Sequence, residues 1–237
     1  MKVHLVHGVV DDWSADSQLD RLYVRSSALE DYLKDQECPY VGWGCASPHG
    51  GAGVLTVDDG TRAGSAACRL ARDLGHEVIF FVNPYQVILG NPYPVNVLDA
   101  AIDARCVDGI CFEGQEFQFG DQGATRKFRM AVKAAIMSLP AGEAAALVEQ
   151  VSRTLCAQGL KLPDFAMSVS IEELRELRDI GVRIENHGWS HIDIKALDRE
   201  MLWEHICRAS AWLANHLSVV SSPNGSTSNR PAISLAP

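Results

Sequence analysis

The sequence has no run of basic residues, no C-x-x-C pair and no apolar stretch approaching the roughly 20 residues a membrane span needs. Each absence excludes a class. With 21 Lys+Arg against 30 Asp+Glu and a formal net charge of -9, nothing offers a surface for tracking phosphates, so nucleic acid is excluded as a partner. A membrane is excluded with it. The seven cysteines (Cys38, Cys45, Cys68, Cys106, Cys111, Cys156, Cys207) are odd in number and scattered, which fits neither a disulfide framework nor a structural zinc knot. They read as reduced thiols of a cytoplasmic protein. No A-x-A-like cleavage site follows Met1-Lys2, and the short apolar run after it carries His4 and His7, so it suits a buried strand better than a signal segment. No repeat appears at solenoid periods.

What the chain does have is enough apolar material for one sizeable core: 237 residues, 47% of them hydrophobic. The run 2–10 predicts a first strand, 26–36 a helix, and the Gly/Ser/Pro-rich stretch 42–53 a loop. That loop leads into Val54-Leu55-Thr56-Val57, a short apolar strand ending at Asp58-Asp59-Gly60. Ala67, Leu70, Ala71 and Leu74 have helical spacing over 65–74, and 77–82 is a nearly unbroken apolar strand. Strand, helix and strand at this spacing make a βαβ unit, and unbroken apolar strands belong to a parallel sheet covered on both faces. The class is therefore α/β.

Further on, 85–125 has a proline-bearing loop and a short strand pair around 109–112 and 116–119, and reads as a lid or insertion. Helices follow at 126–139 and 142–158. Another opens at Ser170, where Ser170 and Glu173 fit a capping box. Residues 182–186 form a strand that delivers His187-Gly188-Trp189-Ser190-His191, and 198–217 form a long helix. A last strand is expected at 218–221. Residues 222–237, rich in Ser, Pro and Asn, read as an unfolded or truncated tail.

Residues just after the strands of a parallel α/β sheet lie on the rim where active sites are built. Asp58 and Asp59 follow one strand, His187 and His191 another, so the two segments can meet there. Two histidines four apart and one carboxylate form a three-ligand set with a position left open, as a catalytic zinc requires. The neighbouring carboxylate is then free to act as a base toward water.

At these residues the chain resembles the polysaccharide deacetylases of the NodB-homology type, carbohydrate esterase family 4. Their T-F-D-D-G motif is matched by Thr56-Val57-Asp58-Asp59-Gly60, and their H-[ST]-x-x-H motif by His187 to His191. His7 sits like the histidine of a Y-H-x-V segment, and Ser222-Pro223-Asn224-Gly225 is similar to a Y-P-x-G motif. The resemblance implies a distorted (β/α) barrel over 1–221, incomplete at its C-terminal end, whose unpaired edge would admit a second chain. It implies Asp58 as general base, Asp59, His187 and His191 as ligands of a divalent metal such as zinc, and Pro223, Asn224 and Gly225 against the substrate. The reaction implied is hydrolysis of the N-acetyl group from N-acetylglucosamine-type glycans or sugar conjugates.

Three departures from the pattern stand out. Val57 replaces an aromatic; Gly188 replaces a Ser or Thr, with Glu185 standing where a small residue is usual. The family's L-x-x-H motif, source of its general acid, has no counterpart in Ser226 to Pro237. Among the other histidines only His7, at a strand end, is placed to face the metal, and a supporting role in proton transfer is expected of it. Two alternatives remain at this point: a truncated member that binds metal and glycan without turnover, and a metal-dependent amidase acting on non-sugar C–N bonds.

Overall fold

The computed structural model describes residues 3–36, 39–41 and 53–217. The expected strand at 218–221, the tail and most of the loop 42–53 lie outside these residues. The apolar run at the start of the chain divides into β1 (Val3–Val6) and β2 (Val9–Val10) instead of forming one strand. Gly8 makes the break. Its φ of +145° suits only glycine, and a Cβ there would stand 2.4 Å from the backbone of Ala63. The chain turns off the sheet, and β2 pairs with β3 (Val24–Arg25), which leads into α1 (Ser26–Lys34) with Leu29 and Leu33 buried.

The strands β4 (Val54–Val57) and β5 (Val78–Val82) are buried at every position. Between them, α2 (Arg62–Asp73) begins earlier than its apolar spacing suggests, because the Thr61 hydroxyl accepts the Gly64 N–H at 3.1 Å and caps the first turn. Two helices opened by proline follow, α3 (Pro84–Leu89) and α4 (Pro94–Asp103). The hairpin of β6 (Gly109–Phe112) and β7 (Gln115–Gln118) turns through Glu113 at φ 48° and Gly114 at φ 77°. Two consecutive positive values mark the tight turn that matches strand twist, and they set β7 one residue ahead of its expected start. In α5 (Gln122–Ser138), Asp121 accepts the Ala124 N–H at 2.8 Å, so this helix too starts before its apolar stripe. It is followed by α6 (Ala141–Thr154). The capping box at α7 (Ile171–Asp179) is present in both directions, Glu173 N–H to Ser170 Oγ at 3.1 Å and Ser170 N–H to Glu173 Oε2 at 2.6 Å. The chain then forms β8 (Arg183–Asn186) and α8 (Arg199–Leu217).

The main sheet has the order β1-β4-β5-β8, and every pairing in it is parallel. The α/β class is as expected; the barrel is not formed among the described residues. The sheet is open, with β1 at one edge, where Val3 and Leu5 are 45% and 46% exposed. The physical difference lies in the outer strands: β4 and β5 are covered on both faces, whereas β1 and β8 are only partly covered.

Among the described residues four apolar clusters form, two of them large. One surrounds the sheet, with Leu33, Leu55, Val57, Phe80, Leu174 and Leu177 at its centre. The other joins α4, the β6–β7 hairpin, α5 and α6 through Leu98, Ile102, Phe117, Phe128, Val132 and Val148. The segment 85–125 therefore does not stand alone, since it shares this core with α5 and α6. Within it, Arg129 donates to both carboxylate oxygens of fully buried Asp99, at 2.5 and 2.7 Å. Burial pushes the Asp99 carboxyl up, and the guanidinium opposes that rise. Removing one member leaves a charge without its partner in a dry interior. Arg129→Met should cost about 3–5 kcal/mol in urea denaturation, and adding Asp99→Asn should restore most of it. A single variant as stable as the parent would show that the pair does not hold α4 to α5.

Candidate metal centre

The parallel ladder delivers the site. Pairing of β1 with β4 continues one step past the strand, with the Asp58 N–H donating to Val6 O at 3.1 Å, and β5 does the same for β8 through His187 N–H to Val82 O at 3.0 Å. Asp58 and His187 thereby leave the sheet on the same rim. Asp59 then enters the left-handed region at φ 76°, followed by Gly60 at φ 74°. Aspartate tolerates this conformation better than most residues. The turn aims the Asp59 carboxylate at the histidine loop. His191, at φ 56°, is the second non-glycine residue of the site held left-handed, and such conformations cost about 1–3 kcal/mol each unless their surroundings impose them.

The carboxylate of Asp59 is the hub. His191 Nε2 lies 3.0 Å and His187 Nε2 3.3 Å from its Oδ1, and His7 Nε2 lies 3.9 Å from its Oδ2. One ligand atom from each of Asp59, His187 and His191 falls within 4.8 Å of the other two. Burial by itself would raise the Asp59 carboxyl, but the two imidazoles outweigh it and hold it well below the usual range. For His187, burial lowers the imidazole and the Asp59 carboxylate more than restores it, leaving it raised. Asp58 is buried, its Oδ1 has no hydrogen-bond partner among the described residues, and burial, partly countered by His187, raises its carboxyl. Two imidazoles and a carboxylate are the donor set of zinc and similar divalent ions, and the orphaned oxygen of Asp58 stands beside them. The residues fit a metal ion.

Several residues that hold this arrangement were not evident from spacing. Asn83, fully buried after β5, donates through Nδ2 to His187 O at 2.6 Å and Gly188 O at 3.2 Å. Its place at a strand end on the same rim is the signal that could have found it. The Tyr93 hydroxyl lies between two acceptors, the Asp59 carbonyl and Asn83 Oδ1 at 3.0 Å, and its ring meets His191 edge-on at 5.2 Å. Burial, reinforced by Asp59, pushes the Tyr93 phenol far up, so it stays a donor. Asn186 accepts the Gly188 N–H at 2.6 Å while its own Nδ2 donates to Ile206 O and Ser210 Oγ on α8.

Of the residues expected at the site, the structure brings together Asp58, Asp59, His187, His191 and His7. Pro223, Asn224 and Gly225 lie outside the described residues. The imidazoles of His187 and His191 converge from an irregular loop, not from one face of a helical turn. Glu185 is engaged by Arg183 on the strand. The glycine at 188 has a concrete reason. With φ at +85°, a Cβ there would come 2.7 Å from His205 Nε2, the atom that accepts the Trp189 N–H at 2.8 Å. His205, on α8, thus fills the space beside the loop.

Fold and cluster define a class first: an α/β protein with a candidate metal centre on the C-terminal rim of its parallel sheet. Residues 137–233, less than half of the chain, match the family model described as polysaccharide deacetylase, a stretch that includes the His187–His191 motif and not Thr56–Gly60. No curated protein matches significantly. Among solved structures, the Streptococcus pyogenes deacetylase PplD in complex with acetate is similar at a TM-score of 0.43 and 10% identity, over 92% of this chain and 69% of that one.

The packing at residue 188 is open to test. Gly188→Ser should destabilise the protein by about 1–3 kcal/mol in chemical denaturation, through the left-handed backbone and the displaced His205. Adding His205→Ala should recover only the part due to the contact. Equal stability of Gly188→Ser and the parent would show that the space is free.

Proposed function

We propose that the chain is a metal-dependent hydrolase that removes N-acetyl groups from N-acetylglucosamine-type glycans or their conjugates, with zinc the ion its donors suit best. The observation that carries this reading is the meeting of Asp59, His187 and His191 within 4.8 Å beside the unpartnered buried oxygen of Asp58. These three residues would hold the ion. Its contribution, when bound, would be Lewis-acid polarisation of the acetamide carbonyl.

The remaining steps belong to the chain. Asp58 Oδ1 makes no hydrogen bond to a described residue, so it is free to accept the proton of an attacking water, the part of a general base. Asn83, Tyr93 and Asn186 hold the backbone of the Asp59 turn and the histidine loop, so the ligands keep their aim through the reaction. Breaking the C–N bond requires a proton for the departing amine. His7, 40% exposed and 3.9 Å from the far oxygen of Asp59, is the described imidazole best placed to supply it.

Acetate release from N-acetylglucosamine oligomers and conjugates, with zinc or cobalt added and metal content measured in parallel, tests the reading. Asp59→Asn and His187→Ala should lose the metal and the activity together. Asp58→Asn should keep the metal and lose about 10²–10⁴ in turnover. His7→Ala should keep the metal and turn over more slowly; unchanged turnover would remove its role. No acetate from any of these substrates, with metal shown to be bound, would overturn the enzymatic reading in favour of a binding protein.

A further inference from the structure

A cavity of about 490 Å³ lies to one side of the candidate metal centre, between α3–α4 and α6. It falls in the range of small-molecule sites. A second, narrow cleft of about 20 Å³ has His191 and Ser190 in its wall. Gln86, Pro94 and Ala141 line both spaces, so the two lie side by side.

The walls specify an occupant. They are largely aliphatic, with Leu89, Val97, Ala145, Val148 and Leu160 among them. The two charged side chains in the lining, Glu149 and Arg153, form an ion pair with each other one helical turn apart and at the exposed side. Ser152 spends its proton on Val148 O at 2.8 Å. Gln86 is different: only 3% exposed, it lines chamber and cleft alike, and its side-chain amide makes no hydrogen bond to a described residue. An amide that faces an open space offers an occupant both a donor and an acceptor. Tyr85, Asn91 and Gln158 complete the polar part of a mostly apolar wall, and a sugar ring would bring more hydroxyls than these could meet. An alkyl or aryl group attached through one polar linkage would leave little unsatisfied.

Resting on the deacetylase reading, the geometry points to a substrate that is an N-acetyl sugar carrying a neutral alkyl or aryl group. That group lodges in the chamber, and Gln86 meets the linkage as it passes through the cleft. The chamber is a side pocket of limited volume, so it selects a small conjugate over a polymer chain.

Calorimetry with the zinc-supplemented protein compares free N-acetylglucosamine with its hexyl glycoside. Burial of the alkyl group should tighten binding by about tenfold or more. Ala145→Trp, at an exposed position of α6 that faces the chamber, should bring the ratio of the two dissociation constants close to one. Gln86→Leu should weaken the glycoside while keeping the volume of the site. A hexyl glycoside that binds no more tightly than the free sugar, or an advantage that survives Ala145→Trp, overturns the proposal. Binding is read without turnover: absent acetate release with a ratio that depends on residue 145 would count against the deacetylase alone, and release with no such ratio would count against the chamber alone.

Discussion

The site depends on one partly buried carboxylate placed between imidazoles. Asp59 in a dry setting is unfavourable on its own, and burial by itself would lower the affinity of His187 for its proton. Brought within 3.0 to 3.3 Å, each offsets the penalty of the other. The contacts hold the three side chains together, and a cation at the same place would use the same donor atoms once the imidazole nitrogens had given up any proton they carry. Every other feature of the rim can be understood as keeping these three side chains from separating. Asp59 reaches its place only through a left-handed backbone, which the sheet enforces by fixing Asp58 to Val6 on one side and Gly60 to Val169 on the other.

Much of this was legible in the sequence, for identifiable reasons. β4 and β5 could be read because strands covered on both faces have no polar side to interrupt the apolar run. The start of α7 could be read because a capping box is a local device, complete within Ser170 to Glu173. Asp59, His187 and His191 could be placed on one rim because a parallel sheet puts all its strand ends there. The family match over 137–233 includes both histidines, whereas Asp58 and Asp59 join them only through the fold.

What could not be read was set by contacts distant in the chain. The break at Gly8 depends on how closely α2 approaches, and nothing near residue 8 records Ala63 as its neighbour. Closure of the sheet cannot be judged from strands one at a time, since Val3 and Leu5 have the composition of covered residues and are half exposed. The 85–125 stretch looked irregular because its apolar residues are completed by Phe128, Val132 and Val148, far ahead in the sequence. Tyr93 stands between two prolines with no periodic signal on either side, so its part at the site emerged only from the folded chain.

Tyr93 also shows how the two cores act on one site. It caps the start of α4, an element of the second core, yet its hydroxyl reaches the carbonyl of Asp59 on the rim of the first. A hold on a carbonyl fixes the backbone, and at residue 59 that backbone is the strained one. On the other side of the cluster, Asp193 donates its N–H to Met137 O at the end of α5, two residues past His191. The second core thus grips both arms of the candidate metal centre from one side while the sheet grips them from below. Because α3, α4 and α6 also wall the chamber beside His191, the surface that would receive a substrate and the contacts that hold Asp59 and His191 share the same packed helices. An occupant that pushed these helices apart would loosen Asp59 and His191 together, so the fold ties what can fit in the chamber to whether the ligands stay aligned.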